Sequence, residues 1–157
     1  MEDGKHLEKK YPGMKFIRVE PGPLPFRNGE FEVVHSSAVI EHVGTHENQS
    51  EFLREIWRVA RKGIFITTPN RWFPIEFHTV LPLVHWLPPA IFRAALRKMG
   101  RDFYADEANL HLMSVRDLRS IADEIGIANA QVTKMYLGPW PSNLILVAVK
   151  SGLHRAE

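Results

Sequence analysis

Phe31-Glu32-Val33-Val34-His35-Ser36, followed by Ser37-Ala38-Val39-Ile40-Glu41-His42-Val43, is the stretch that decides the fold. An apolar run of β-branched residues breaks off into small residues, which is how a strand of a parallel sheet ends at a ligand-facing loop. The central Val33-Val34 pair predicts burial on both faces of that sheet. Just before it, Arg27-Asn28-Gly29-Glu30 reads as a turn, because Asn-Gly accepts positive φ at low cost. Just after it, Asn48 to Arg61 predicts a helix. Phe52, Leu53, Ile56, Trp57, Val59 and Ala60 form its apolar face.

The pattern continues on both sides. Lys5–Lys10 predicts the last turns of a helix stopped by Tyr11-Pro12-Gly13, and Lys15–Val19 a short strand. Gly63–Thr68 predicts another strand, ended by Pro69-Asn70. Ala90–Met99 predicts a helix opened by Pro89 and closed by Gly100. Ser114–Ile125 predicts a second, with Ser114 as its cap, Asp117 at the third position and Gly126 after it. Gln131–Tyr136 and Leu144–Val149 predict two strands joined through Gly138-Pro139-Trp140-Pro141. Strands alternating with helices, then a closing hairpin, predict an α/β sheet with an antiparallel edge.

With 157 residues the chain reads as one domain, 1–157. Twenty basic and 18 acidic residues leave a net charge of +2, too balanced for a nucleic-acid surface. The absence of cysteine excludes disulfides, thiolate metal ligands and cysteine nucleophiles, and fits a cytoplasmic location. No apolar run of 18 or more residues is present to span a membrane. His42 and His46 have helical ligand spacing but lack the metalloprotease order, so no metal site is assigned from the sequence.

The stretch Leu24-Pro25-Phe26 to Val34, then Ser36 to Val43, resembles class I S-adenosylmethionine (SAM) dependent methyltransferases of the type 11 kind. The resemblance implies a Rossmann-like sheet of order 3-2-1-4-5-7-6, with SAM as cofactor. It implies a glycine-rich loop ahead of the strands read here, which none of the fourteen residues before Lys15 carries. The reading is therefore of a domain incomplete at its N-terminus. A longer enzyme, a first strand moved beside Phe31–Ser36, or a homodimer covering that edge would each complete the sheet.

By resemblance, Glu20 accepts from the adenine amino group, although Pro21 lacks the N–H that the next residue supplies in the family. Ser36, Ser37 and Ala38 let the backbone approach the methionine part of the cofactor. Val39 packs near adenine or sulfonium, and His42 faces the cleft. Asn70, Arg71 and Trp72 fall at the substrate mouth.

Residues 72–112, rich in tryptophan and proline, occupy the place of the family's acceptor lid. They add Glu76, His78, His85 and His111 as candidate acid–base groups, with His42, His78 and His111 as candidates for catalysis. The expected acceptor is a small molecule or a lipid- or sugar-linked intermediate. The stretch from Leu81 to Leu96 is also a candidate for peripheral membrane contact, with Trp86 and Phe92 dipping in and Arg93, Arg97 and Lys98 outward. A non-catalytic fragment acting by association is the competing expectation.

Overall fold

The computed structural model of the chain describes residues 4–127 and 129–150. Helix α1 (Lys5–Lys10) is followed by residues 11–30, which form turns and irregular backbone. Strand β1 (Phe31–Ser37) then runs through a 3-10 turn (Ile40–His42) into helix α2 (His46–Val59) and strand β2 (Ala60–Pro69). Another 3-10 turn (Val84–Trp86) and helices α3 (Pro89–Lys98) and α4 (Asp102–Ala105) make up the insert. Helix α5 (Val115–Glu124) and strands β3 (Gln131–Leu137) and β4 (Trp140–Val149) complete the chain.

The sheet has the order β1-β2-β4-β3. β1 and β2 are parallel, in register from Val33 opposite Gly63 to Ser37 opposite Thr67. β4 is antiparallel to both β2 and β3. A Cβ on Gly63 would lie 2.6 Å from the Ala148 carbonyl oxygen, so only glycine lets β2 and β4 close there. The hairpin turns on Gly138-Pro139 alone, with Gly138 at φ 60, and Trp140 and Pro141 already belong to β4.

Helices α2 and α5 cover one face of the sheet. Ile64, Ile66, Leu144, Leu146 and Ala148 point at Leu53, Ile56, Leu118 and Ile121, and together form the main core. Thr45 starts α2 two residues before the predicted helix by accepting from the Asn48 N–H at 3.4 Å. At α5 the predicted cap is a full capping box between Ser114 and Asp117. A smaller core of Phe92, Leu96, Ala105, Leu110 and Leu112 holds the insert.

Three expectations are corrected. Lys15–Val19 is not a strand. Among the described residues it pairs with no sheet neighbour, and Phe16, Ile17 and Val19 are exposed, although β1 is an edge strand of the sheet. Val33 is 60% exposed rather than buried, since helices cover one face of the sheet only and β1 is its edge. Phe92 is 6% exposed and packs inside the insert. Phe92 therefore does not take the outward place read for it, and Arg93 turns to Glu107 at 3.3 Å while Arg97 reaches the Ala105 carbonyl. Among the described residues no helix is long and apolar enough to cross a membrane.

Candidate functional site

The carboxyl ends of parallel strands leave unpaired backbone groups and a crevice, and here β1 and β2 end side by side. At the end of β1, Ala38 takes φ 51 and donates its N–H to the Thr67 carbonyl at 2.9 Å, so the chain turns sharply away from the sheet. That left-handed residue starts the 3-10 turn that carries Glu41 and His42.

The turn is fastened to residues 109–111. The His111 N–H donates to the Glu41 carbonyl at 2.7 Å, and Gln49 donates to the carbonyls of Ile40 and His111 at 3.3 and 3.2 Å. His42 Nδ1 lies 2.7 Å from the Asn109 carbonyl oxygen. A carbonyl only accepts, so the Nδ1 hydrogen is committed there and Nε2 is turned into the crevice.

His78 comes from the insert and meets His42 with Nε2 to Nε2 at 2.8 Å. Its own Nδ1 donates to Glu76 at 2.6 Å. Glu76 is buried and also accepts the backbone N–H groups of His78 and Thr79, so one carboxylate sets the whole loop. Burial alone would raise the Glu76 pKa, but the bonds from His78 and Thr79 outweigh it and hold the group at about 2. The same Glu76 bond pushes the His78 imidazole above its ordinary range, against its own burial.

Glu41 closes the group from below. Its side chain is fully buried; Oε2 accepts from the Thr68 hydroxyl at 2.8 Å, and Oε1 has no hydrogen-bond partner among the described residues. Oε1 lies 3.9 Å from His42 Nε2. The His42 and His78 side chains remain 33% and 18% exposed, so the cluster opens to solvent on one side.

The other predicted residues fall in two groups. Ser37 sits at the crevice, its hydroxyl accepting from Thr67 at 3.0 Å, and Val39 is exposed beside it. Ser36 turns its hydroxyl to the helix-covered face, where the atom is buried and has no partner among the described residues. Glu20 lies exposed on the irregular segment before β1, beside Arg18 at 4.0 Å. Asn70 is buried, donates to the Pro141 carbonyl and accepts from the Trp72 N–H, so it clamps the end of β2 to β4.

Arg71 stacks on the exposed Trp72 and reaches the Leu87 carbonyl. His85 is buried and bonded to the Phe73 carbonyl at 2.8 Å, and burial pushes its pKa below the ordinary imidazole range. His111 packs against the Gly44 carbonyl and Glu107. His46 pairs with Glu124 at 3.0 Å, remote from His42's partners.

Beside the crevice, the loop Pro21–Leu24 and the exposed side of α2 enclose a groove of about 460 Å³. Glu55 fixes that loop by accepting the Leu24 N–H at 2.7 Å, and Arg58 donates to the Leu24 and Phe26 carbonyls.

Residues 2–67, ending within β2, match the model of a methyltransferase domain family. The sheet, with α2 as its crossover, superposes on a SAM-dependent methyltransferase from Aquifex aeolicus with a TM-score of 0.54. Identity is 13%, over 93% of this chain and 60% of that one. A SAM-dependent methyltransferase from Methanosarcina mazei gives 0.52 at 12% identity, over 92% of this chain and 74% of that one. The methyltransferase SibL gives 0.51 at 13% identity, over 84% of this chain and 34% of that one.

The chain has a class I methyltransferase fold. No curated protein matches it by sequence. It spans 60% of the length of the Aquifex methyltransferase, so the fold is shared over a part of that molecule.

Within this methyltransferase fold, the residues that sequence reasoning missed are Glu41 and Thr68. Glu41 stands next to His42 and directly follows the apolar Ala38-Val39-Ile40, and a carboxylate at that place in a strand-exit loop was the available signal. Its pairing with Thr68 spans 27 positions and has no local pattern.

Proposed function

We propose that the chain transfers a methyl group from SAM to a hydroxyl-bearing small-molecule or lipid- or sugar-linked acceptor. The observation that carries this reading is the juxtaposition of His42 and His78 at the ends of β1 and β2, on a segment matching the methyltransferase family. The residues present suit the cofactor. The β1 exit has small side chains at Ser37 and Ala38, and the neighbouring groove has the size of a small-ligand pocket.

SAM, when bound, supplies an electrophilic methyl carbon whose departing electron pair stays on sulfur. The protein's task is then to position an acceptor oxygen and to take its proton. Asn109 fixes His42 with Nε2 toward the crevice, and Glu76 does the same for His78, so the pair can receive the acceptor proton. The exposed rings of Trp72, Phe77 and Trp86 on the insert favour an acceptor with an apolar part.

The test is a calorimetric titration of the chain with SAM and with S-adenosylhomocysteine. Saturable heats with both support the reading. A folded, monodisperse chain that gives none supports the second reading, a methyltransferase-like domain acting by association. Pro21, without an N–H, and the exposed Val33, Phe65 and Val149 on the open face of the sheet favour that alternative.

A further inference from the structure

The histidine pair has a bonding problem that its surroundings impose. His42 Nδ1 and His78 Nδ1 are both donors, one to the Asn109 carbonyl and one to the Glu76 carboxylate. In the neutral rings this leaves two Nε2 lone pairs facing each other at 2.8 Å. A third lone pair points the same way, from Glu41 Oε1, on a fully buried side chain with no partner for that atom. Three electron-rich atoms lie within 4.8 Å of one another. A single proton between the two Nε2 atoms joins the rings but leaves Glu41 Oε1 without a partner among the described residues; a cation seated among the three atoms accepts all three lone pairs.

We propose that Glu41, His42 and His78 form a binding site for a divalent transition-metal cation of the zinc kind. Two imidazoles and a carboxylate are the donor set of three-ligand zinc sites that keep one position open. Ligating histidines ordinarily donate their other ring N–H to a carboxylate or a backbone carbonyl, and these two do one of each. Glu41 is oriented in turn by the Thr68 hydroxyl.

Tetrahedral Zn–N bonds of about 2.0–2.1 Å place two nitrogens roughly 3.3 Å apart, so the imidazoles need to part by about half an ångström. His78 sits on an insert loop and His42 on a short turn, both partly exposed, and either can yield that much. The open position faces solvent at the strand ends. Cation binding stands on this geometry alone. Its use rests on the function proposed above: with both Nε2 atoms on the cation, an acceptor hydroxyl at the open position has its pKa lowered and gives its proton to solvent rather than to the imidazole pair.

Co²⁺ is the probe, titrated into the full chain without SAM and followed by visible absorption. One equivalent is expected to bind saturably with the intense bands of a tetrahedral site, and Zn²⁺ to displace it. His42→Gln and His78→Gln are expected to weaken binding by 10-fold or more, and Glu76→Gln by about 10-fold through loss of orientation. His46→Gln is expected to leave it unchanged.

Because a variant can fail to fold, Zn²⁺ is also titrated into the unsubstituted chain under NMR, where the His42 and His78 imidazole resonances are expected to shift before those of the other histidines. Absence of saturable binding, equal binding by the His42 and His78 variants, or first shifts at other histidines overturns the proposal. A chain that binds Co²⁺ but not SAM retains the cation site and loses the methyltransferase reading; the reverse result loses the site alone.

Discussion

The Thr68 hydroxyl donates to the buried carboxylate of Glu41 at 2.8 Å, joining the end of β2 to the turn that follows β1. The other Glu41 oxygen is already without a partner. Thr68→Val keeps the shape and removes the hydroxyl, which leaves both oxygens of a buried carboxylate unsatisfied. The expected cost is about 1–3 kcal/mol in urea unfolding. A variant within a few tenths of the unsubstituted chain would mean that water reaches Glu41 and that the carboxylate is not sealed as the geometry indicates.

Ser36 and Ser37 make opposite predictions although they are neighbours. The Ser36 hydroxyl is buried and unpartnered on the core side, so Ser36→Ala is expected to leave stability unchanged or raise it slightly. Ser37 faces the crevice and accepts from Thr67. Ser37→Leu is expected to weaken SAM binding several-fold, while Ser36→Ala does not. Equal effects from both, read by calorimetry and thermal melting, would place the cofactor elsewhere.

The two serines also show how far the sequence could be read. The small residues after Val34 identified a strand exit, and the order of strands and helices followed from apolar spacing that is local. The capping of α5 was legible because Ser114 and Asp117 are three positions apart. Lys15–Val19 had the right composition for a strand, yet a strand exists only if a neighbour bonds it, and that is not written locally. Phe92 could face a membrane or a core with the same spacing; only Leu96, Ala105 and Leu110 decide it. His42 and His78 were both candidates, but their contact spans 36 positions, and no spacing rule pairs them.

Glu55 gives the protein an acid-sensitive fastening. Its bond with Arg58 lowers its pKa, more than burial raises it, and the Leu24 N–H adds to the effect. A carboxyl with a depressed folded pKa contributes stability above its ordinary range and loses it as pH falls through that range towards the lowered value. Glu55→Gln is therefore expected to be less stable than the unsubstituted chain at neutral pH, with the gap narrowing as pH drops below about 4. Denaturant midpoints at neutral pH and in mild acid check this. A gap that stays constant would show that Glu55 holds the Leu24 loop by shape alone.

Val80 is held where a β-branched residue does not go willingly. Its φ is 57, its side chain is 70% exposed, and its N–H donates to the Glu76 carbonyl at 2.7 Å. A left-handed backbone costs a non-glycine residue about 1–2 kcal/mol, and an exposed valine recovers little of that by packing. Asparagine tolerates this conformation far better. Val80→Asn is expected to stabilise the chain by about 1 kcal/mol, a rise of roughly 2–4 °C in Tm. The loop it closes carries Glu76 and His78, so the gain belongs to the frame of the histidine pair. If Tm does not rise, the apolar Val80 surface is being covered in solution, and the size of the particle by light scattering tells which copy or partner covers it.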